Sequence, residues 1–248
     1  MDHYEQALYN HILASVAEAD AGNTYHVPLG PGAQKDFTNA DFKGFTCCNG
    51  TALESNTKLQ DSIYFKSADG QALYVNLFIP STLTWRERSV VIRQATDFPR
   101  ADTTRLVVKE HGRFDLKIRV PRWATRGFIV HVNGRREPVT AAPGTYATLT
   151  KDWRDGDTID VRMPFGFELV PVTDQPNVAS LFYGPVLLAA QESAPRTDWR
   201  RVTLDTRDLA RSIAGDPATL RFSADGAAFK PFYESYGRYS VYVQVVSK

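Results

Sequence analysis

The stretch Phe114-Asp115-Leu116-Lys117-Ile118-Arg119-Val120 decides the fold class: apolar residues take every second position, with Asp115, Lys117 and Arg119 between them. Successive side chains of a strand point to opposite faces, so this spacing buries one face and wets the other, as in half-buried antiparallel sheet. Leu73, Val75, Leu77 and Ile79 repeat the pattern. Further short apolar runs lie at 89–94, 105–109, 128–132, 146–150 and 158–163, with turn signals at Asn133-Gly134, Pro143-Gly144 and Asp155-Gly156. Many short strands at this spacing predict a mainly β chain, with an antiparallel β-sandwich over residues 67–195. The apolar run 178–190 is read as one buried strand, because Pro185 would interrupt a helix. A small β tail module over 196–248 follows, with Asp225-Gly226 as a hairpin turn and Tyr239, Val241 and Val243 alternating in the final strand.

Upstream of the sandwich the period changes. Tyr4, Leu8, His11, Ile12 and Ser15 share one face of an amphipathic helix over 2–19, with Asp2 as its cap and His11 read as a core histidine. Residues 21–44 carry Gly22, Pro28, Gly30, Pro31 and Gly32 and are expected to form an irregular loop, of a length that usually serves a function. Thr51-Ala52-Leu53-Glu54 has the form of a capping box, which predicts a second helix from Thr51 to about residue 64. Cys47 and Cys48 then fall just before a helix amino terminus. Residues 1–66 thus form the first of three segments, ahead of the sandwich and the tail.

Size and charge bound the function. The chain has 248 residues with 43% apolar content, enough for a real core. Its 29 Lys and Arg balance 28 Asp and Glu, so no positive field recruits nucleic acid or an anionic membrane, and a neutral partner such as sugar fits better. No apolar run approaches the ~20 residues that cross a bilayer, and Met1-Asp2-His3-Tyr4-Glu5 is not an export signal, so a cytoplasmic protein is expected.

The only cysteines are the adjacent pair Cys47 and Cys48, which cannot staple distant parts of a fold. A helix amino terminus favours the thiolate, and a bound zinc would favour it more strongly, with one sulfur as ligand and its neighbour as reactive group. The plainer reading is that both fill small apolar space, as free cysteines commonly do. From the pair alone these readings stay level, with a strained vicinal disulfide below them.

The run from Gly44-Phe45-Thr46-Cys47-Cys48-Asn49-Gly50-Thr51 to Asp61-Ser62-Ile63-Tyr64-Phe65 resembles the signature of the β-L-arabinofuranosidase group, glycoside hydrolase families 127 and 146. Tyr9-Asn10-His11-Ile12-Leu13-Ala14-Ser15, Pro28-Leu29-Gly30-Pro31-Gly32, Leu73-Tyr74-Val75-Asn76-Leu77, Pro121-Arg122-Trp123 and Tyr183-Gly184-Pro185-Val186-Leu187 resemble the same group in the same order. The segment Phe229-Lys230-Pro231-Phe232-Tyr233 is similar to an accessory β-module often appended to it. The resemblance implies an (α/α) barrel followed by β-sandwich domains, so the two predicted helices look like the end of a barrel. It also implies retaining hydrolysis of β-linked L-arabinofuranose, with Cys47 as a zinc-bound nucleophile and Cys48 as a second zinc ligand. The family's other zinc ligands and its acid/base Glu lie upstream of any motif matched here. The resemblance therefore implies a carboxy-terminal portion, inactive alone, whose barrel remainder sits on a missing amino-terminal segment or a partner subunit.

Three further residues are candidates for the pocket. Glu54 could face the sugar, although the capping box already accounts for it. Tyr25 and His26 could line the pocket from the long loop. The other function class compatible with the sequence is a noncatalytic β-sandwich module that binds glycan or supports an enzyme domain.

Overall fold

The computed structural model describes residues 1–19, 22–38 and 46–248. Gly44 and Phe45, which open the cysteine motif, lie outside the described residues. Two compact units form: Met1–Asp2 with Lys58–Phe165, and His3–Thr57 with Gly166–Lys248.

The first unit is a β-sandwich. One sheet has four strands in the order Tyr64–Lys66, Ala72–Val75, Gly112–Arg119 and Tyr146–Trp153. The other has six, in the order Ser81–Trp85, Val90–Thr96, Thr103–Lys109, Thr158–Arg162, Ile129–Val132 and Arg135–Glu137. The alternation expected around residue 116 is observed: Phe114, Leu116 and Ile118 are buried, and their sheet faces the other through the edge-on pair Trp85 and Phe114, 5.5 Å between ring centroids. Pairing is antiparallel except where Ala72–Val75 runs parallel to Gly112–Arg119.

Period alone misplaces two positions here. The alternation set Arg119 on the wet face, yet it is only 2% exposed. Its Nε donates to the Asn76 carbonyl at 2.6 Å and its guanidinium reaches the Asp2 carboxylate at 3.0 Å. A charge is tolerated inside when it is paired and hydrogen-bonded in this way. Asp2, expected as a helix cap, instead accepts from Arg119 and from the Arg122 backbone amide. Ile79 leaves the expected face because its strand stops at Val75, after which Asn76, Leu77 and Phe78 are all buried.

The second unit is built on a nine-stranded sheet. The apolar run read as a single strand is a hairpin: Gln175–Tyr183 and Val186–Glu192 pair antiparallel, with Gly184 at a φ of 55° in the turn. Pro185 punctuates two strands rather than excluding a helix. Strands from the tail join the same sheet, since Ala227–Pro231 and Arg238–Ser240 pair with Val186–Glu192, and Val243–Ser247 pairs with Gln175–Tyr183. The boundary expected near residue 195 therefore falls inside one hydrogen-bonded sheet.

The amino-terminal helix is shorter and less regular than its pattern suggests. An α-helical turn at Asp2–Ala7 widens into a π-helical stretch, Leu8–Ile12, then tightens to 3₁₀ at Leu13–Ser15. Each change of pitch rotates the face, so Glu5, Leu8, Tyr9, Ala14 and Ser15 are buried while His11 is exposed. The expected core histidine is thus a surface one. Asn10 is the anchor: its Nδ2 donates to the Pro185 carbonyl at 2.9 Å, and its Oδ1 accepts from the Leu187 amide at 2.8 Å.

The loop over 22–38 is likewise pinned to the sheet. The Gly32 amide donates to Ser240 Oγ at 3.0 Å, Tyr239 donates its hydroxyl to the Pro28 carbonyl at 2.8 Å, and Lys35 Nζ donates to the Phe232 carbonyl at 2.9 Å. Gly32 takes a φ of 60°, and a Cβ there would meet the Arg196 backbone nitrogen at 2.6 Å. Only glycine fits both conditions.

Candidate active site around the cysteine pair

The second helix spans Cys47–Thr57, beginning before the capping box predicted at Thr51 and ending before residue 64. Its cap is Thr46 with Asn49. The Asn49 side-chain oxygen accepts from the Thr46 amide and from the Thr46 hydroxyl, each at 2.8 Å, closing the reciprocal half of a capping box with Asn in the place of Glu. Thr51 donates its hydroxyl back to the Cys47 carbonyl at 3.3 Å, an interior position rather than a cap. Cys47 and Cys48 therefore occupy the first turn instead of preceding it.

Both thiols are free, Cys47 exposed and Cys48 half-buried. A helix amino terminus argues for an easily formed thiolate, but Cys48 departs in the other direction. Burial pushes its thiol up, and the hydrogen bond and charge of neighbouring Cys47 act the same way. Two adjacent sulfurs cannot both ionise without repulsion.

The first turn of this helix is tied to the long loop. Asn49 Nδ2 donates to Thr38 Oγ1 at 3.1 Å, and Thr38 donates both its hydroxyl, at 2.9 Å, and its amide, at 3.1 Å, to the Asn23 carbonyl. Cys48 thereby faces two cavities. The larger, about 490 Å³, is lined by Cys48, His11, Tyr25 and His26 together with sheet residues including Ser180 and Leu187. The smaller, about 240 Å³, has Cys48, Tyr25 and His11 in common with it and adds Asn23 and Ser15. Tyr25 and His26 are exposed at the rim with ring centroids 4.0 Å apart.

The fold thus gathers Cys48, Tyr25 and His26 around one cavity and adds His11, which the sequence pattern had assigned to the core. Glu54 is exposed on the helix and lines neither cavity, and the same holds for Cys47. Asn23 and Asn10 were not singled out as site residues by sequence, and Ser15 was placed only on the helix face. The signal at Asn23 was weak, because a polar residue in a Gly- and Pro-rich loop reads as solvated surface until its partners are known.

The zinc implied by the resemblance can be tested against these donors. Two thiols supply half of a four-coordinate site. Among the described residues no group of three or more His, Cys, Asp or Glu converges to hold a metal. The described residues by themselves do not make a zinc site.

Two family models match the chain: β-L-arabinofuranosidase, GH127 catalytic domain, over residues 1–61, and β-L-arabinofuranosidase, GH127 middle domain, over residues 72–165. No curated protein matches it. Among solved structures it aligns with one described as a glycoside hydrolase, at 18% identity and a TM-score of 0.74, covering 99% of this chain and 49% of that one. A GH127 β-arabinofuranosidase aligns at 18% identity and 0.79, covering 99% and 45%. A GH127 β-L-arabinofuranosidase from Geobacillus stearothermophilus T6 aligns at 20% identity and 0.74, covering 99% and 46%. At these identities the likeness is one of fold, and the chain spans about half the length of the solved structures it matches. Fold and family models together set the chain among the glycoside hydrolases. It belongs to the β-L-arabinofuranosidase family GH127, with part of the catalytic domain followed by the middle domain.

Among the described residues no helix is long and apolar enough to cross a membrane.

Proposed function

We propose that this chain is the cysteine-bearing portion of a β-L-arabinofuranosidase that acts on glycans containing β-linked L-arabinofuranose. The observation that carries this reading is the match of the catalytic-domain model over residues 1–61, a span that contains both cysteines and the loop forming the cavity wall at Cys48. In a retaining reaction the Cys47 thiolate attacks the anomeric carbon, the bond to the leaving oxygen breaks, and that oxygen takes a proton from a general acid. Water then displaces the sulfur from the sugar. The acid comes from outside the residues matched here. For zinc this chain would offer Cys47 and Cys48, the remaining donors again coming from elsewhere, so the chain is inactive alone.

A noncatalytic glycan-binding role is the second reading, favoured by the exposed rings of Tyr25 and His26 on the cavity lining, where an aromatic face can pack on a sugar. Chromophore release from an aryl β-L-arabinofuranoside, with zinc per chain measured by elemental analysis, separates the two. We expect no turnover by this chain alone, and turnover abolished by Cys47→Ala once the missing catalytic-domain segment is supplied. Turnover that survives Cys47→Ala in the complemented enzyme sinks the nucleophile assignment. Saturable glycan binding without turnover in the complemented enzyme favours the binding module.

A further inference from the structure

The outer face of the six-stranded sheet carries a trough of about 650 Å³, built by the sandwich unit alone. Leu106, Val130 and Ile159 are buried in the core, so the residues that alternate with them along the strands turn outward. Register sets those residues side by side. Ala95, Arg105, Asp160 and His131 stand directly opposite one another across four neighbouring strands, and Thr103, Arg162 and Ile129 form the next row on the same face. Residues directly opposite lie about 5 Å apart and diagonal ones about 7–8 Å apart, so Arg105 and Arg162 come within reach of one ligand. The turn after Thr96 closes one end: the Asp97 carbonyl accepts from the amides of Arg100 at 2.8 Å and Ala101 at 3.2 Å, and both Asp97 and Ala101 line the trough.

Both arginines hold donors in reserve. Arg105 meets Asp160 through Nε at 2.5 Å, and Arg162 meets Asp102 through Nε at 3.1 Å. Their terminal guanidinium nitrogens have no partner among the described residues, and neither has the Asp97 carboxylate. The two arginine side chains are 59% and 61% exposed, and an ion pair so open to water contributes little to the fold. Each guanidinium is therefore available to a ligand.

The charges select the ligand class. Two cations, Arg105 and Arg162, share the lining with two anions, Asp97 and Asp160. A carboxylate or phosphate would be set against both aspartates, and an amine against both arginines. A neutral hydroxyl suits all four, because it accepts from a guanidinium and donates to a carboxylate. Small side chains at Ala95 and Ala101 leave room on the floor, and Ile129 offers an apolar patch to ring C–H groups. The volume falls in the roughly 300–1,000 Å³ range of sites for drug-sized ligands, a size that about two sugar rings match.

We propose that this trough is a second glycan site, on the sandwich, which takes a neutral oligosaccharide through Arg105, Arg162 and Asp97. It uses neither cysteine. That its sugar is β-linked L-arabinofuranose rests on the function proposed above, while the demand for an uncharged, hydroxyl-rich ligand does not.

The test titrates this chain, by NMR, with a disaccharide of β-linked L-arabinofuranose, with xylobiose, with anionic digalacturonate and with the cationic disaccharide of glucosamine. Kd is read only from the Nε–Hε resonances of Arg105 and Arg162 and the amides of the trough, so sugar held near the cysteines does not enter. The arabinofuranosyl disaccharide should bind saturably, and both charged disaccharides about tenfold more weakly or not at all. Arg105→Met and Arg162→Met should each weaken binding about tenfold, the loss of one charge-assisted hydrogen bond. Arg113→Met removes an exposed arginine from the other sheet and should leave binding unchanged. The side-chain resonances of the unaltered protein decide the matter if a variant fails to fold. Binding whose shifts miss Arg105 and Arg162, or that keeps full strength in both variants, overturns the site. Tighter binding of either charged disaccharide overturns the neutral-ligand assignment. Arginine-dependent binding of xylobiose, but not of the arabinofuranosyl disaccharide, upholds the trough and counts against the arabinofuranoside reading. Absence of saturable shifts with every sugar overturns the trough, and chromophore release by the complemented enzyme still tests the proposed function separately.

Discussion

Lys35 offers the sharpest physical test of how the loop is held. It is 4% exposed, donates to the Phe232 carbonyl at 2.9 Å, and lies 4.4 Å from the ring centroid of Phe232, 5.5 Å from that of Tyr239 and 5.8 Å from that of Tyr236. Burial, and after it the charge of Lys230, lowers its pKa from 10.5 to about 8. Between these values the unfolded chain binds a proton that the folded chain has lost, so this group makes stability rise with pH across that window. Its cost to the fold is complete below about pH 8 and gone above 10.5. At ~1.4 kcal/mol per pH unit the full span is roughly 3 kcal/mol, of which roughly 2–3 kcal/mol falls between pH 7 and pH 10. Tyr236 and Tyr239 hold their protons above the ordinary range because they are buried, and so work in the opposite direction at higher pH, which sets pH 10 as the upper limit. Urea unfolding of the unaltered protein and of Lys35→Met, followed by circular dichroism at both pH values and equal ionic strength, isolates the lysine. The stability difference should move by roughly 2–3 kcal/mol in favour of the lysine protein on going from pH 7 to pH 10. A difference constant to within about 0.5 kcal/mol would mean that Lys35 titrates as it does in water, and that its aromatic surroundings do not desolvate it.

Three further outcomes follow from the packing and the site. Leu116→Ala removes a side chain with no exposed surface from the sandwich and should cost about 2–5 kcal/mol in chemical denaturation. Asn10→Ala deletes both hydrogen bonds to the Pro185–Leu187 turn, and hydrogen exchange at the Leu187 amide should quicken in step with a loss of about 1–3 kcal/mol. Iodoacetamide at pH 8 should modify Cys47 before Cys48, because Cys47 is exposed while the Cys48 thiol is half-buried and pushed up. Peptide mapping reads the order, and equal rates in the folded protein that match those in denaturant would contradict it.

Much of the fold was legible in the alternation. The buried set Phe114, Leu116 and Ile118 and the turns at Asn133-Gly134 and Asp155-Gly156 are local properties, and Gly134 and Gly156 take the positive φ that such turns require. The helices were less legible. The run Thr51-Ala52-Leu53-Glu54 satisfies the capping pattern by residue type, yet the chain caps five residues earlier at Thr46, where Asn49 supplies the returning oxygen and Thr38 holds it. A cap is chosen by which end of the helix has partners, and Thr38 is brought there by the loop. The widening of the first helix at Leu8–Ile12 similarly overrode a good 3.6-residue pattern and turned His11 outward.

By itself the sequence determined the β-rich class, the turns, the absence of a net charge that would attract polyanions, and, through the cysteine motif, the family. These depend on neighbours a few residues apart or on summed composition, so they can be read along the chain. Only the tertiary structure decided that Arg119 is buried against Asp2, that the tail strands complete one sheet with the hairpin around Gly184, and that Asn23 and Cys48 line one cavity, with the Asn23 side-chain oxygen unpartnered among the described residues. Each of these joins residues far apart in sequence, and whether a polar group is buried, paired or left wanting is settled only when those distant partners meet.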